Sequence, residues 1–123
     1  MPLSRSHAVW LAALPAVGLL HLHLTRAEPA AGAAVGRAPA ALRLWFSQPV
    51  EAAVTRVRLA GPAGAVALDR LAVDEAEVRA AVRGAMPAGA YTVEWRTMAA
   101  DGHAVSGTYN FRVGAVPAAP TTR

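Results

Sequence analysis

The feature that most constrains this chain is an alternation of apolar and polar residues, repeated in short segments that glycine and proline separate. Within residues 40–47, Leu42, Leu44 and Phe46 fall on one face of an extended segment, and other residues fall between them. A Gly-Pro-Ala-Gly sequence at residues 61–64 supplies a tight turn. A period of two is typical of a β-strand, whose successive side chains point to opposite faces of a sheet. The pattern therefore predicts strands.

The same alternation recurs in residues 55–59, 91–95 and 107–113. Residues 74–85 leave two alternatives open, because their alanines and glutamates favour a short helix while their valines alternate with arginines; we favour the strand. The total is about seven short strands with glycine and proline turns between them, a pattern typical of a two-sheet Greek-key sandwich. The predicted fold class is all-β.

The first 20 residues are predicted to be an export signal. Residues 1–20 carry a basic start and an apolar run that is shorter than the roughly 20 apolar residues of a membrane span. Cleavage is expected before His21, with a cut after Ala27 and an uncleaved membrane anchor as alternatives. Export implies a periplasmic or secreted protein. The rest is predicted to be one domain at residues 21–113 and a disordered tail at residues 114–123.

Composition excludes several classes of function. The 123 residues include no cysteine, which rules out disulfide frameworks, thiolate metal sites and thiol catalysis. Any metal must therefore be held by nitrogen and oxygen atoms. The formal net charge is +4, but the 12 basic residues are scattered and do not cluster along an aromatic stripe, so we expect no nucleic-acid partner.

The candidate metal ligands are His21, Asp101 and His103. Asp101, Gly102 and His103 follow one another between the last two predicted strands, and residues two apart on an extended segment point the same way. If cleavage makes His21 the first residue, its α-amine and imidazole together form a chelate. Three nitrogens and one carboxylate oxygen without sulfur favour Cu(II) over Cu(I). His23, two residues after His21, is the alternative donor if processing differs.

Four further residues are expected to have structural roles. Trp45 and Trp95 lie in apolar strands, and we expect both to pack in the core. Arg26 and Glu28 lie close to the candidate site in the sequence, and we interpret them as a surface ion pair. The alternative is that this pair steers or hydrogen-bonds the metal ligands.

From residue 21 to residue 113, the sequence resembles the copper resistance protein CopC family. The segments that carry the resemblance are His-Leu-His-Leu at residues 21–24, residues 26–33, Leu-Arg-Leu-Trp-Phe-Ser-Gln-Pro-Val-Glu at residues 42–51, Met-Pro-Ala-Gly-Ala-Tyr-Thr-Val-Glu-Trp-Arg at residues 86–96, and Asp-Gly-His-Ala-Val-Ser-Gly-Thr-Tyr at residues 101–109.

This resemblance implies an immunoglobulin-like β-sandwich that carries copper outside the cytoplasm and is not an enzyme. It implies a Cu(II) site built from His21, Asp101 and His103, and delivery of the ion to a membrane copper transporter of the CopD type. The chain departs from the family pattern in lacking a methionine-rich Cu(I) loop. It also departs at Ala99, Ala100 and Ala104, which replace the usual serines and proline around the loop. We therefore expect altered hydrogen bonds around unchanged ligands.

Two other functions are compatible with parts of this pattern. An N-terminal histidine brace could activate oxygen at copper, as in lytic polysaccharide monooxygenases, but a carboxylate in the fourth strong position would leave no open site for oxygen. A metal-free sandwich acting as an interaction module becomes the favoured interpretation if the mature chain begins after Ala27.

Overall fold

The computed structural model describes residues 21–114. The predicted signal at residues 1–20 and residues 115–123 of the predicted tail lie outside this range. Nine strands make up the described domain, namely β1 (Leu24–Glu28), β2 (Ala34–Val35), β3 (Ala41–Phe46), β4 (Arg56–Gly61), β5 (Gly64–Val66), β6 (Ala72–Asp74), β7 (Glu77–Ala81), β8 (Gly89–Met98) and β9 (Ala104–Val113). A 3-10 turn, Ala52–Val54, precedes β4. Within residues 21–114, no helix is long and apolar enough to cross a membrane.

The strands form two sheets, as the alternation predicted. One sheet has four strands in the order β1-β3-β7-β6, and the other has five in the order β2-β9-β8-β4-β5. All neighbours are antiparallel except β2 and β9, which are parallel. The all-β sandwich is thus confirmed. The strand count exceeds the predicted seven because β2 and β6 have only two or three residues each, too few to show an alternation.

Residues 74–85 do not form a helix. They contain the end of β6 and the whole of β7, joined by a turn in which Glu75 adopts a positive φ of 59°. Val78 and Ala80 point into the core, whereas the intervening Arg79 is exposed. The apolar alternation therefore outweighs the helix propensity of the alanines and glutamates, because burial of one face stabilises the strand more than local propensity favours a helix.

The core lies between the sheets. The inward side chains of β3, β8 and β9 are nearly all buried, as the alternation required; they include Leu42, Leu44, Phe46, Tyr91, Val93, Tyr109, Phe111 and Val113. Phe46 of one sheet meets Trp95 of the other edge to face, with ring centroids 5.1 Å apart. Trp95 therefore packs against the core as predicted.

The prediction that Trp45 packs in the core is wrong, because Trp45 lies on the outer face of the four-stranded sheet. It alternates with Leu44 and Phe46, so a strand that buries those two must turn Trp45 outward. The guanidinium groups of Arg26 and Arg43 lie 4.5 and 4.7 Å from the centre of its ring. Cation–π contacts with these two arginines thus take the place of core packing.

Candidate metal centre

The loop that carries Asp101 and His103 closes a long hairpin. β8 and β9 pair along ten residues each, and the last pair is Met98 with Ala104. The chain reverses between them in a turn that the Gly102 N–H closes by donating to the Ala99 carbonyl, at 2.9 Å. Gly102 has a φ of +91°, a conformation that favours glycine. A continuously paired hairpin therefore holds this loop at one end of the sandwich.

Asp101 and His103 contact each other directly. One oxygen of the Asp101 carboxylate accepts from the His103 backbone N–H at 2.9 Å, and the other lies 3.1 Å from Nδ1 of the His103 ring. With Nδ1 donating to Asp101, Nε2 of His103 keeps its lone pair for a ligand. The two side chains thus lie against each other, and they do so through a turn, whereas the sequence analysis expected an extended segment.

The electrostatics of the loop keep Asp101 ionised. Chiefly the backbone N–H of His103, and then its ring, lower the pKa of the Asp101 carboxyl below the usual 3.8. Both side chains are open to solvent, with exposed fractions of 84% for His103 and 58% for Asp101. An incoming ion would therefore meet a charged, accessible carboxylate beside an accessible imidazole.

His21 lies beside this loop although 80 residues separate it from Asp101 in the sequence. The two residues line the same shallow concavity of about 250 Å³, together with Leu22, His103, Ala104 and Val105. Leu22 is buried and fixes the segment against the core. The three predicted ligands thus line one concavity at this end of the sandwich. Among residues 21–114, however, no three His, Asp or Glu side chains form a ready-made group that could hold a metal ion.

Ser47 ties the His21 segment in place, a role that the sequence did not suggest. Its backbone N–H donates to the His23 carbonyl at 2.8 Å, and its hydroxyl accepts from the His23 N–H at 2.9 Å. The hydroxyl also lies 3.3 Å from the His21 carbonyl. Ser47 follows β3 directly, so the central strand of the sheet positions the His21 segment. Its partners lie 24 and 26 residues away, and no local pattern reveals such contacts.

His23 has a different position from His21. Its Nδ1 donates to the His21 carbonyl at 2.8 Å, and its ring does not line the concavity. The sequence analysis kept His23 as an alternative donor. In this arrangement it braces the backbone of His21.

The interpretation of Arg26 and Glu28 as a surface ion pair is confirmed. Their charged atoms lie 2.5 Å apart, and both side chains are exposed, on the outer face of the four-stranded sheet. Glu28 also faces Arg43, which pairs with Glu77 at 2.7 Å. These charges form a network around Trp45 and do not line the concavity of His21.

Comparison with known proteins agrees with this architecture. Residues 24–114 match the family model of the CopC domain, a range that includes Asp101 and His103 and begins after His21. Among curated proteins, Protein YobA of Escherichia coli strain K12 is 34% identical over 97 residues, which cover 76% of this chain and 78% of that protein. The copper transport protein CutJ of Bacillus subtilis strain 168 is 26% identical over 114 residues, which cover 86% of this chain but only 20% of CutJ.

Two solved structures are similar in fold and sequence. PcoC, a methionine-rich copper resistance protein from Escherichia coli, superposes with a TM-score of 0.67 at 30% identity, covering 76% of this chain and 98% of that one. CopC from Methylosinus trichosporium OB3b superposes with a TM-score of 0.68 at 29% identity, covering 76% of this chain and 94% of that one. The family model spans most of the sequence, and the described domain has the same fold as these proteins. The chain therefore belongs to the CopC domain family.

Proposed function

We propose that this protein binds one Cu(II) ion through His21, Asp101 and His103 and carries it outside the cytoplasm. The observation that supports this proposal most strongly is that the three residues line a single concavity although they come from distant parts of the chain. The copper resistance and copper transport functions of its relatives support the choice of metal.

The full ligand set depends on how the chain begins. With His21 as the first residue, its α-amine and imidazole supply two nitrogens, Nε2 of His103 a third, and Asp101 an oxygen once its carboxylate leaves Nδ1 of His103. Rotation about the His21 side-chain bonds would bring its ring toward the Asp101–His103 pair. Because the carboxylate is charged at neutral pH, it would partly neutralise the incoming dication.

The donor atoms favour Cu(II) over Cu(I). The described residues include no cysteine. Their two methionines, Met86 and Met98, lie near opposite ends of β8, a separation of roughly 30 Å for a strand of this length, and cannot share an ion. A site of imidazole, amine and carboxylate suits the tetragonal geometry of Cu(II).

A carrier fits these features better than an oxidative enzyme. The four strong positions would all be occupied by protein atoms, whereas oxygen activation needs an open one. The high exposure of His103 and Asp101 suits an ion that must be received and released. A membrane transporter of the CopD type is the proposed recipient, since this chain matches one fifth of the larger copper transport protein CutJ.

The decisive experiment compares three forms of the exported protein. The first has its N-terminus at His21 by mass spectrometry, the second carries a Gly-Ser insertion between residues 20 and 21, and the third carries His103→Ala. Each is titrated with Cu(II) against a competing chelator, with paramagnetic resonance spectra as the readout of ligand type. We expect one equivalent and a nitrogen-rich tetragonal spectrum for the first form, and a loss of affinity of orders of magnitude for the second.

The α-amine also sets the pH dependence. Because an α-amine has a pKa of about 8, proton competition weakens binding through it as the pH falls. Equal affinities for the native and extended forms would remove the amine from the ligand set and leave His23 as its replacement. Less than half an equivalent bound to the native form would reject the proposal.

A further inference from the structure

The outer face of the five-stranded sheet carries three arginines around one concavity. Three guanidinium groups and one carboxylate surround a concavity of about 340 Å³ whose exposed side chains are Arg56, Arg58, Glu94, Arg96, Ser106 and Thr108. We call these six residues the arginine face. On the outer face of the other sheet Arg43 also lies opposite an arginine, Arg79, but there Arg26 and Arg43 form ion pairs with glutamates.

The strand register forces like charges together on the arginine face. Arg56 of β4 lies directly opposite Arg96 of β8, whereas Arg58, two residues further along β4, lies opposite Glu94 without forming an ion pair with it. Directly opposed like charges destabilise a sheet, so the fold gains nothing from this pairing. A bound group of negative charge would remove the repulsion.

The positive groups are available to a partner. Arg56 is held in position by donating to the carbonyls of Ala53 and Thr55, at 3.3 and 3.0 Å. In the part of the chain that the structure describes, the side chains of Arg58, Arg96 and Glu94 make no hydrogen bond or ion pair. The planar guanidinium group of arginine binds a carboxylate with two parallel hydrogen bonds. Glu94 and the neighbouring hydroxyl groups add further hydrogen-bonding groups that would orient a partner.

The arginine face lies next to the candidate metal centre. Arg96 and its opposite residue Ser106 are two residues from Met98 and Ala104, the last pair of the hairpin. Two residues of a β-strand span about 7 Å. A protein bound to the arginine face would therefore extend over the loop that carries Asp101 and His103.

We propose that the arginine face docks an acidic segment of the protein that exchanges copper with this one. The docking stands on the arginine face alone, whereas the identity of the partner as a copper donor or acceptor rests on the proposed function. An acidic polypeptide fits better than a lipid surface, because the face offers no exposed large apolar side chain to insert into a membrane.

The test uses an acetylated, fluorescein-labelled peptide of eight glutamates, with a peptide of eight glutamines as its control. Fluorescence anisotropy measures binding to the exported protein and to the double variant Arg58→Gln/Arg96→Gln. The matched control is Arg37→Gln/Arg79→Gln, which removes the same charge from exposed positions outside the arginine face. Amide shifts in NMR spectra locate the bound peptide.

We expect the Arg58→Gln/Arg96→Gln variant to bind the glutamate peptide about tenfold more weakly, and the control variant less than about threefold more weakly. Amide shifts should map to β4, β8 and β9. Binding should weaken with added salt, because the charges are exposed. Equal losses in both variants would overturn the proposal by assigning binding to net charge. Binding to vesicles of anionic lipid without binding to the peptide would overturn it in favour of a membrane surface.

Cu(II) titration separates this inference from the proposed function. The Arg58→Gln/Arg96→Gln variant should bind Cu(II) with unchanged affinity, since none of the proposed ligands is altered. If the unaltered protein bound no Cu(II), the proposed function would fail while the peptide measurement still decided whether the arginine face docks an acidic segment.

Discussion

Asp101 and His103 hold each other in position at the end of the β8–β9 hairpin, because one carboxylate meets both the backbone N–H and the ring Nδ1 of His103, at 2.9 and 3.1 Å. This arrangement fixes the orientation of the imidazole and leaves Nε2 free. Asp101 therefore has two alternative roles, as the group that orients His103 and as a proposed copper ligand, because a carboxylate that accepts from Nδ1 does not reach an ion on Nε2 of the same ring.

His103→Ala and Asp101→Ala should each weaken Cu(II) binding without unfolding the domain, since both side chains are exposed on a loop. We expect Asp101→Ala to lower Cu(II) affinity roughly 10- to 100-fold. His103→Ala should lower it more, because the imidazole is the stronger donor. Titration against a chelator measures both, with circular dichroism as the folding control. Unchanged affinity in His103→Ala would reject the ligand assignment.

The pH dependence of Cu(II) binding should not come from Asp101. Its pKa lies below 3.8, so the carboxylate stays charged as the pH falls from 8 to 5. Cu(II) affinity should therefore decrease in this range because protons compete for the donor nitrogens of the site, as chelator competition at each pH would measure. A constant affinity from pH 8 to pH 5 would contradict this account.

Gly102→Ala should weaken Cu(II) binding by distorting the turn. An alanine at a φ of +91° is strained, and space is not the cause, since nothing lies within 4 Å of a Cβ atom built there. A strain of about 1 kcal/mol corresponds to a loss of affinity of about fivefold. Gly36→Ala is the control, because a Cβ there also meets nothing and the backbone has no positive φ. A similar effect in both variants would rule out the turn as the cause.

Trp95→Ala should destabilise the domain far more than Trp45→Ala. Trp95 packs against Phe46 between the sheets, and loss of such a side chain costs about 3–5 kcal/mol of unfolding free energy. Trp45 contacts two guanidinium groups on the outer face, and we expect a loss of about 1 kcal/mol. Urea unfolding followed by far-ultraviolet circular dichroism measures both, and Trp95→Phe provides a variant that keeps most of the packing. Equal losses would contradict the outward position of Trp45.

Tyr109→Phe should leave the domain as stable or make it more stable at neutral pH. The Tyr109 hydroxyl is buried without a hydrogen-bond partner among the described residues, so its removal ends an uncompensated desolvation cost. Tyr91→Phe is the matched control, because it loses the hydrogen bond from the Tyr91 hydroxyl to the Pro87 carbonyl and should cost about 1 kcal/mol. A larger destabilisation by Tyr109→Phe than by Tyr91→Phe would show that the Tyr109 hydroxyl has a partner.

Tyr109→Phe should also change how the free energy of unfolding depends on pH in alkaline solution. Burial raises the pKa of Tyr109 from 10.0 to about 12, so above pH 10 the unfolded chain releases a proton that the folded chain retains. The free energy of unfolding should therefore fall between pH 10 and 12, by up to about 1.4 kcal/mol per pH unit, and remain unaffected by this group below pH 10. Tyr109→Phe should show a smaller fall, the remainder coming from Tyr91, whose pKa burial also raises.

The amino-acid sequence by itself determined which segments are strands and which of their faces are buried, because alternation is a local property of the chain. β3 and β9 are examples, with Leu44 and Phe111 inward as their spacing requires. It also determined that Asp101 and His103 lie close together, since only Gly102 separates them. Even the outward position of Trp45 followed from its alternation with Leu44, although the aromatic character of the residue favoured a core assignment.

Only the tertiary structure decided what these strands bring together. His21 reaches the Asp101–His103 loop through its Ser47 contacts and the burial of Leu22, and the like charges of Arg56 and Arg96 meet because β4 and β8 pair in one particular register. Such contacts depend on how the sheets pair and pack, which joins residues far apart in the chain. Local periodicity cannot specify them, because the same alternation is compatible with many strand orders and registers.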